Sequence, residues 1–219
     1  MKQRRAPRRM LGRLTAFLAL AAVLSSSGGA VEQTISKRTD PSASDYLTGW
    51  MLVAAPRMRD PRFAKTVILL AHHNNRGAMG LIVNRQITVE TAAEVLQRME
   101  GEEKPGKGGR DVRIHYGGPV QPLYWNFLHS SDYRGKGTMV VTRRVSLTRD
   151  RDILRALARG EGPAKGFLAV GYAGWGPGQL EGELRRQDWI MVRPDDGIVF
   201  DGDMNTKWQR AMDKRGVDL

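Results

Sequence analysis

From Trp50 to Phe200 short apolar runs alternate with clusters of glycine and polar residues. The runs are Trp50–Ala54, Thr66–Ala71, Met79–Asn84, Val112–Tyr116, Asn126–His129, Thr138–Thr142, Gly166–Tyr172, Trp189–Val192 and Gly197–Phe200. Each has the length of a strand, and several are uninterrupted by polar residues, as in strands buried on both faces. Helical spacing is rarer. Thr88 is placed to cap a helix with Val89, Ala92, Ala93 and Leu96 on one face. Thr148 is placed to cap a second, with Ile153, Leu154 and Leu157 inward and Gly160 as its stop. A short helix is expected over Gln179–Arg186, and another over Asn205–Arg215 with Trp208, Ala211 and Met212 inward and Gly216 at its end. Gly101–Arg110 is a charged, glycine-rich loop. Strands outnumber helices and do not alternate strictly with them, which predicts an α+β fold in one domain beginning near Gly49.

The N-terminal residues follow another pattern. Residues 1–13 are basic, Leu14–Leu24 is uncharged and apolar, and Ser25–Ala30 is small throughout, with Gly28 and Ala30 at the −3 and −1 positions of a cleavage site. This is the layout of a secretory signal peptide over residues 1–30. The apolar run is too short for a ~30 Å hydrocarbon core; left uncleaved it would act as a membrane anchor. Arg8-Arg9 faintly echoes a twin-arginine signal. Residues 31–48 are polar and read as a flexible linker, leaving 49–219 as the domain. The expected location is the periplasm or another exported one. The alternative is cytoplasmic, with the start codon misassigned and the true start near Met51.

Charge bears on the same question. The 219 residues include 35 Lys and Arg against 23 Asp and Glu, a net charge of +12. Six of the cations fall within the first thirteen residues, and without them the net charge is +6. A dispersed excess of that size is weaker than the clustered footprint of a nucleic-acid binder. Cysteine is absent, which removes disulfides, thiolate nucleophiles and Cys-based metal sites.

Four segments carry a resemblance. They are Leu52-Val53-Ala54-Ala55-Pro56 with Asp60-Pro61-Arg62-Phe63; His73-Asn74-Asn75-Arg76-Gly77-Ala78-Met79-Gly80-Leu81-Ile82-Val83-Asn84; Gly117-Gly118-Pro119-Val120 with Phe127-Leu128-His129; and Gly171-Tyr172-Ala173-Gly174-Trp175 through Gly178-Gln179-Leu180-Glu181, with Glu183 and Trp189 beyond. In order and spacing the chain resembles the YqgE/AlgH family over nearly all of residues 49–218. The resemblance implies a compact fold of mixed strands around a small barrel-like sheet with helices packed outside. It implies no established reaction; one member is linked to regulation of alginate production, and a transcription-related role has been proposed. The chain departs from the family in its leader, and in His72, where members often carry an acidic residue.

Read physically, Asn75-Arg76-Gly77 is a hairpin turn and Gly117-Gly118-Pro119 a sharp strand end. The stretch Gly174–Gly178 before a helix lacks the spacing of a phosphate loop, and Pro177 removes an amide donor. His72 and His73 point to opposite faces of a strand, and with His115 and His129 they match no metal-ligand pattern. Ser130-Ser131-Asp132 beside His129 is local, without a nucleophile elbow. Glu181 and Glu183, two apart on a helix, form no coupled pair and read as helix-start charges. No catalytic, cofactor or metal residue is assigned. The candidate functional surface is Tyr172, Trp175, Gln179 and Glu181 with His73 and Asn74. The expected function is an exported, non-catalytic binding or envelope accessory protein. The alternatives are an intracellular transcription-linked regulator and an unrecognised ligand-binding enzyme. A protein partner is open, nucleic acid is disfavoured for an exported protein, and membrane contact is expected only through an uncleaved N-terminus.

Overall fold

In a computed structural model, the structure describes residues 46–101 and 108–216. The leader, most of the linker and the middle of the glycine-rich loop lie outside the described residues. The elements are β1 (Met51–Ala54), β2 (Val67–Asn74), β3 (Gly77–Ile82), β4 (Gln86–Thr91), α1 (Ala92–Glu100), β5 (Asp111–Tyr116), β6 (Val120–Ser130), β7 (Met139–Val140), β8 (Val145–Thr148), α2 (Asp152–Ala158), β9 (Gly166–Trp175), α3 (Gln179–Arg185), β10 (Trp189–Val192), α4 (Asp196–Phe200) and α5 (Lys207–Asp213). The fold is α+β: one curled, half-barrel sheet, antiparallel except for the parallel pair β5–β9, and five helices among the described residues.

The sheet runs β10-β1-β2-β3-β9-β6-β8-β7, with β5 also on β9 and β4 on β5. Residues of β1 and β2 alternate between two cores. Met51, Val53, Val67 and Leu69 join the first, against Val199, Phe200, Ala211 and Met212 of α4 and α5. Leu52, Ala54, Ile68 and Leu70 join the second, with Trp175, Trp189 and Leu180 of α3. This is why the runs read as continuously apolar: neither face meets water. A third core lies between α1, α2 and the strands β5, β6 and β9.

β9 organises the sheet. Its first half pairs with β5 through Leu168–Val170, and its last three residues pair with β3 on the same edge. The change of neighbour occurs at Gly171, where φ is +69° and a Cβ would lie 2.3 Å from the Gly118 carbonyl oxygen. Across the crossing, a Cβ on Gly117 would lie 2.4 Å from the Gly171 oxygen, and one on Gly118 2.2 Å from the Tyr172 carbonyl carbon. No side chain fits between those two backbones. The third and fourth resemblance segments are therefore the two sides of one contact.

The β2–β3 hairpin joins Asn74 to its partner Gly77 through Asn75 and Arg76, as the turn signal predicts. Gly77 has φ +129°, and a Cβ there would lie 2.2 Å from the Trp175 carbonyl oxygen, so close approach of β9 demands glycine as much as the turn does.

Several elements differ from the expectations. The first helix is capped by Thr91, not Thr88; Thr91 and Glu94 form a reciprocal capping box. Residues 86–91 are instead the strand β4, so Val89, expected to face a core, is exposed. Thr148 belongs to β8, and α2 starts at Asp152. Gly197–Phe200 is part of α4 rather than a strand: Asp195 Oδ1 accepts from the Ile198 amide at 3.2 Å, and a run of that length cannot be assigned by periodicity alone. β8 was not anticipated, and the Thr138–Thr142 run shrinks to the two residues of β7.

Helix α5 carries a feature that periodicity hides. Lys207 is fully buried, and its Nζ donates to the carbonyls of Val83, Val199 and Asp201 at 3.0, 3.2 and 3.0 Å. Burial pulls its amine down to about 7, with the Arg113 charge next in effect. The lysine ties the end of β3 to the α4–α5 corner.

Candidate functional site

Along β9 beyond Gly171, Ala173 and Trp175 join the second core, Tyr172 is half-buried against the first, and Gly174 is exposed. Trp175 is only 7% exposed. Its Nε1 donates to Glu183 Oε2 at 2.8 Å, and Trp189 Nε1 donates to the same oxygen at 2.7 Å. Gln179 Nε2 donates to Glu183 Oε1 at 2.9 Å, and Gln179 Oε1 accepts from the Gly176 amide at 3.1 Å. The Glu183 carboxylate thus holds two indoles and an amide, and fastens α3 to the second core. The Gly174–Gly178 stretch is a packing turn, with the Gly176 donor already taken.

Glu181 turns the other way, to His73 Nε2 at 2.9 Å. The His73 ring is buried, and its Nδ1 accepts the Leu47 amide at 3.0 Å, which leaves the proton on Nε2. The Tyr46 ring meets His73 edge-on at 5.5 Å, and Thr48 Oγ1 accepts from the His73 amide at 2.9 Å. Tyr46–Thr48, the end of the lead-in, are held by this histidine. His73 and Trp175 are thus buried and hydrogen-bonded, Glu181 keeps its side chain 43% exposed, and neither glutamate is merely a helix-start charge.

Of the remaining histidines, His72 and His129 are paired locally, whereas both ring nitrogens of His115 are buried without a hydrogen-bond partner among the described residues. His72 points outward, its Nε2 2.8 Å from Asn74 Nδ2. His115 is buried and stacks on Phe167 at 4.1 Å; burial first, then the Lys207 charge, pushes it down to about 3, so it is neutral. His129 Nδ1 donates to the Ser130 carbonyl and Nε2 accepts from Thr148 Oγ1, both at 2.8 Å. Ser130 Oγ bonds Asp132 instead, at 2.6 Å, so His129 faces no serine hydroxyl as a base.

Of the six sequence candidates, Tyr172, Asn74 and Trp175 line an open outer groove of about 800 Å³ beside β2, β3, β9 and β6. Gln179 belongs to a neighbouring groove; His73 and Glu181 belong to neither. The outer groove is floored by Gly77 and Gly174 and walled by Tyr124, Tyr172, Arg76 and Arg149. No carboxylate lines it among the described residues. The Arg149 guanidinium lies over the Tyr124 ring, 4.5 Å from its centroid, and its Nε donates to Asn126 Oδ1 at 2.9 Å. A further contact reaches Met79 Sδ at 3.7 Å. Tyr124 in turn meets Tyr172 at 5.9 Å and 67°.

One wall of the groove is an irregularity in β6. Val120 pairs with Tyr172 and Trp125 with Val170, so Gln121–Tyr124 oppose the single residue Gly171 and loop outward. Gln121 takes φ +47°, and Leu123 is 95% exposed. Because sequence reading begins this strand only at Asn126, Tyr124 escapes it. Arg149 escapes as one more arginine after an unexpected strand. The neighbouring groove, about 710 Å³, shares Gly174 and Trp175. Two of its arginines are already paired, Arg62 with Asp60 at 2.7 Å and Arg186 with Asp188 at 3.0 Å.

Comparison with known proteins places this geometry among relatives. Residues 51–219 match the family model described as AlgH-like. A UPF0301 protein of Cereibacter sphaeroides is 42% identical over 173 residues, covering 78% of this chain and 93% of the relative. A UPF0301 protein of Rhodospirillum rubrum is also 42% identical, covering 79% and 89%. The solution structure of the AlgH protein from Pseudomonas aeruginosa superposes with a TM-score of 0.68 at 35% identity, covering 83% of this chain and 94% of that one. A crystal structure from Corynebacterium diphtheriae, 22% identical with a TM-score of 0.58, shares the fold.

Proposed function

Because the chain belongs to the AlgH-like family, and that membership brings no reaction with it, we propose that the protein acts by binding rather than catalysis, and that its binding surface is the outer groove. The observation that carries this reading is Gly174. It sits exposed one residue from the end of β9, outside the left-handed region. A Cβ there would come within 3.1 Å of the Tyr172 ring edge, a tight approach that a small movement of that half-exposed ring relieves, and 3.6 Å from Val120 Cγ2. Backbone conformation does not require glycine and no backbone atom stands within those distances, while glycine weakens a strand. Its remaining use is to keep the groove floor bare for something that lies close to the backbone.

Gly174→Val is therefore expected to fold normally and to lose binding. The check is thermal unfolding in the presence of a small-molecule extract of the source cells. The extract should raise the wild-type midpoint and leave the variant's unchanged. Equal shifts in both proteins, or none in either, would remove the groove from the proposal.

The compartment is part of the same reading. The basic, apolar and small-residue order of residues 1–30 supports export and an accessory role in the envelope. Mass spectrometry of the N-terminus of the protein made in its own cell, with fractionation, should find a chain starting near residue 31 in an exported fraction. A cytoplasmic protein starting near residue 45–51 would reverse the assignment.

A further inference from the structure

Resting on that reading of the groove, we infer that its ligand is a nucleotide: a flat aromatic ring laid on the glycine floor beside Tyr172, carrying a phosphoryl group held by Arg76 and Arg149. The charge requirement comes first. Arg76 and Arg149 line a groove without a carboxylate, and the Arg76 guanidinium has no partner among the described residues. Two cations facing open space without counter-charge select an anion.

Arg149 is fixed before any ligand arrives. Stacking on Tyr124 holds its plane, and the Nε bond to Asn126 holds its direction. Asn126 is fully buried, and its Nδ2 has no hydrogen-bond partner among the described residues. Orphaned buried nitrogens also occur on His115 and Arg210 among the described residues, and the one on Asn126 is joined to the groove through Arg149, where a bound partner would explain it. Immobilised guanidinium groups suit phosphate because their N–H fork matches two of its oxygens.

The ring requirement comes from the floor. Gly174 and Gly77 present bare backbone between Tyr172 and the hairpin. A flat ring can lie on that surface with the Tyr172 side chain against it, as bases do on aromatic residues. A compact ligand is favoured over a long acidic peptide because the groove, at about 800 Å³, falls in the usual range for small-molecule sites. The paired arginines next door give an extended acidic chain little to hold.

The experiment is isothermal titration of the full-length protein with adenosine 5′-monophosphate, adenosine and ribose 5-phosphate. The monophosphate should bind, and each half-molecule should bind at least roughly tenfold more weakly. Arg149→Met should weaken the monophosphate by about 10–100-fold, and Gly174→Val should abolish its binding, with unchanged thermal midpoints showing that both variants fold. Should the valine variant unfold, Gly174→Ala replaces it, with partial loss expected. Adenosine binding as tightly as its monophosphate overturns the phosphate assignment. A hexaglutamate peptide displacing the monophosphate at equal affinity overturns the ring assignment. Undiminished binding to Gly174→Val overturns the site. A 5′-phosphorylated adenine hexanucleotide binding more tightly than the monophosphate makes the source a nucleic-acid end, and equal affinity makes it a free nucleotide; both support the chemistry. If no probe binds while the cell extract still stabilises only the wild type, the nucleotide inference fails and the groove stands. If both fail, so does the groove.

Discussion

Replacing Trp175 by alanine is expected to destabilise the protein by about 3–5 kcal/mol, the range for losing a large aromatic from a packed core. The indole is 7% exposed and lies edge-on to Trp189, ring centroids 6.0 Å apart. Truncation would leave a void between β9 and α3, and would cost Glu183 one of its two indole donors. Trp175 also lines the groove, so a loss of binding in this variant would say nothing about recognition unless stability were measured beside it. Chemical denaturation decides: a midpoint near the wild-type value would mean that the ring is not the core residue its surroundings indicate.

Gly171→Ala is expected to cost about as much through a different mechanism. At φ +69° an alanine carries roughly 1–3 kcal/mol of backbone strain. Its methyl group would also sit 2.3 Å from the Gly118 oxygen, and relieving such overpacking typically costs a further ~1–3 kcal/mol. Gly174→Ala, three residues along the same strand, is the control and should change stability by no more than about 0.5 kcal/mol. Urea denaturation of the two variants side by side tests the contrast. A Gly171→Ala protein as stable as its Gly174 counterpart would show that the crossing can open without penalty.

The pair also shows what a linear sequence conveys. The runs Trp50–Ala54 and Thr66–Ala71 are readable as doubly buried strands because burial on both faces leaves a nearly gap-free apolar stretch. The Asn75-Arg76-Gly77 turn was readable because its chemistry is local. The Thr91–Glu94 capping box was also present in the sequence, but Thr88 with Val89 offered a competing helical spacing. Gly197–Phe200 was too short for either period to prevail. The groove was harder to see. Its walls come from Arg76, Tyr124, Arg149 and Tyr172, which are brought together only by sheet pairing, and its most informative residue is a glycine whose lack of a steric reason emerges only when its neighbours are known. His73 and Glu181, named as candidates from sequence, bond to one another, and the His73 ring also takes the Leu47 amide; such pairing across more than a hundred residues is invisible in a linear reading.

The central strand also sets a timetable. β9 lies between β3 and β5 on one edge and β6 on the other, yet it is made late. The 93 residues added after Ile82, through Trp175, take roughly 5–20 s to synthesise at about 5–20 residues per second. Throughout that interval the nascent chain carries hairpins whose inner edges have no partner, and the sheet cannot close until the tenth residue of β9 has emerged. Whatever meets the chain during those seconds meets open strand edges rather than a domain.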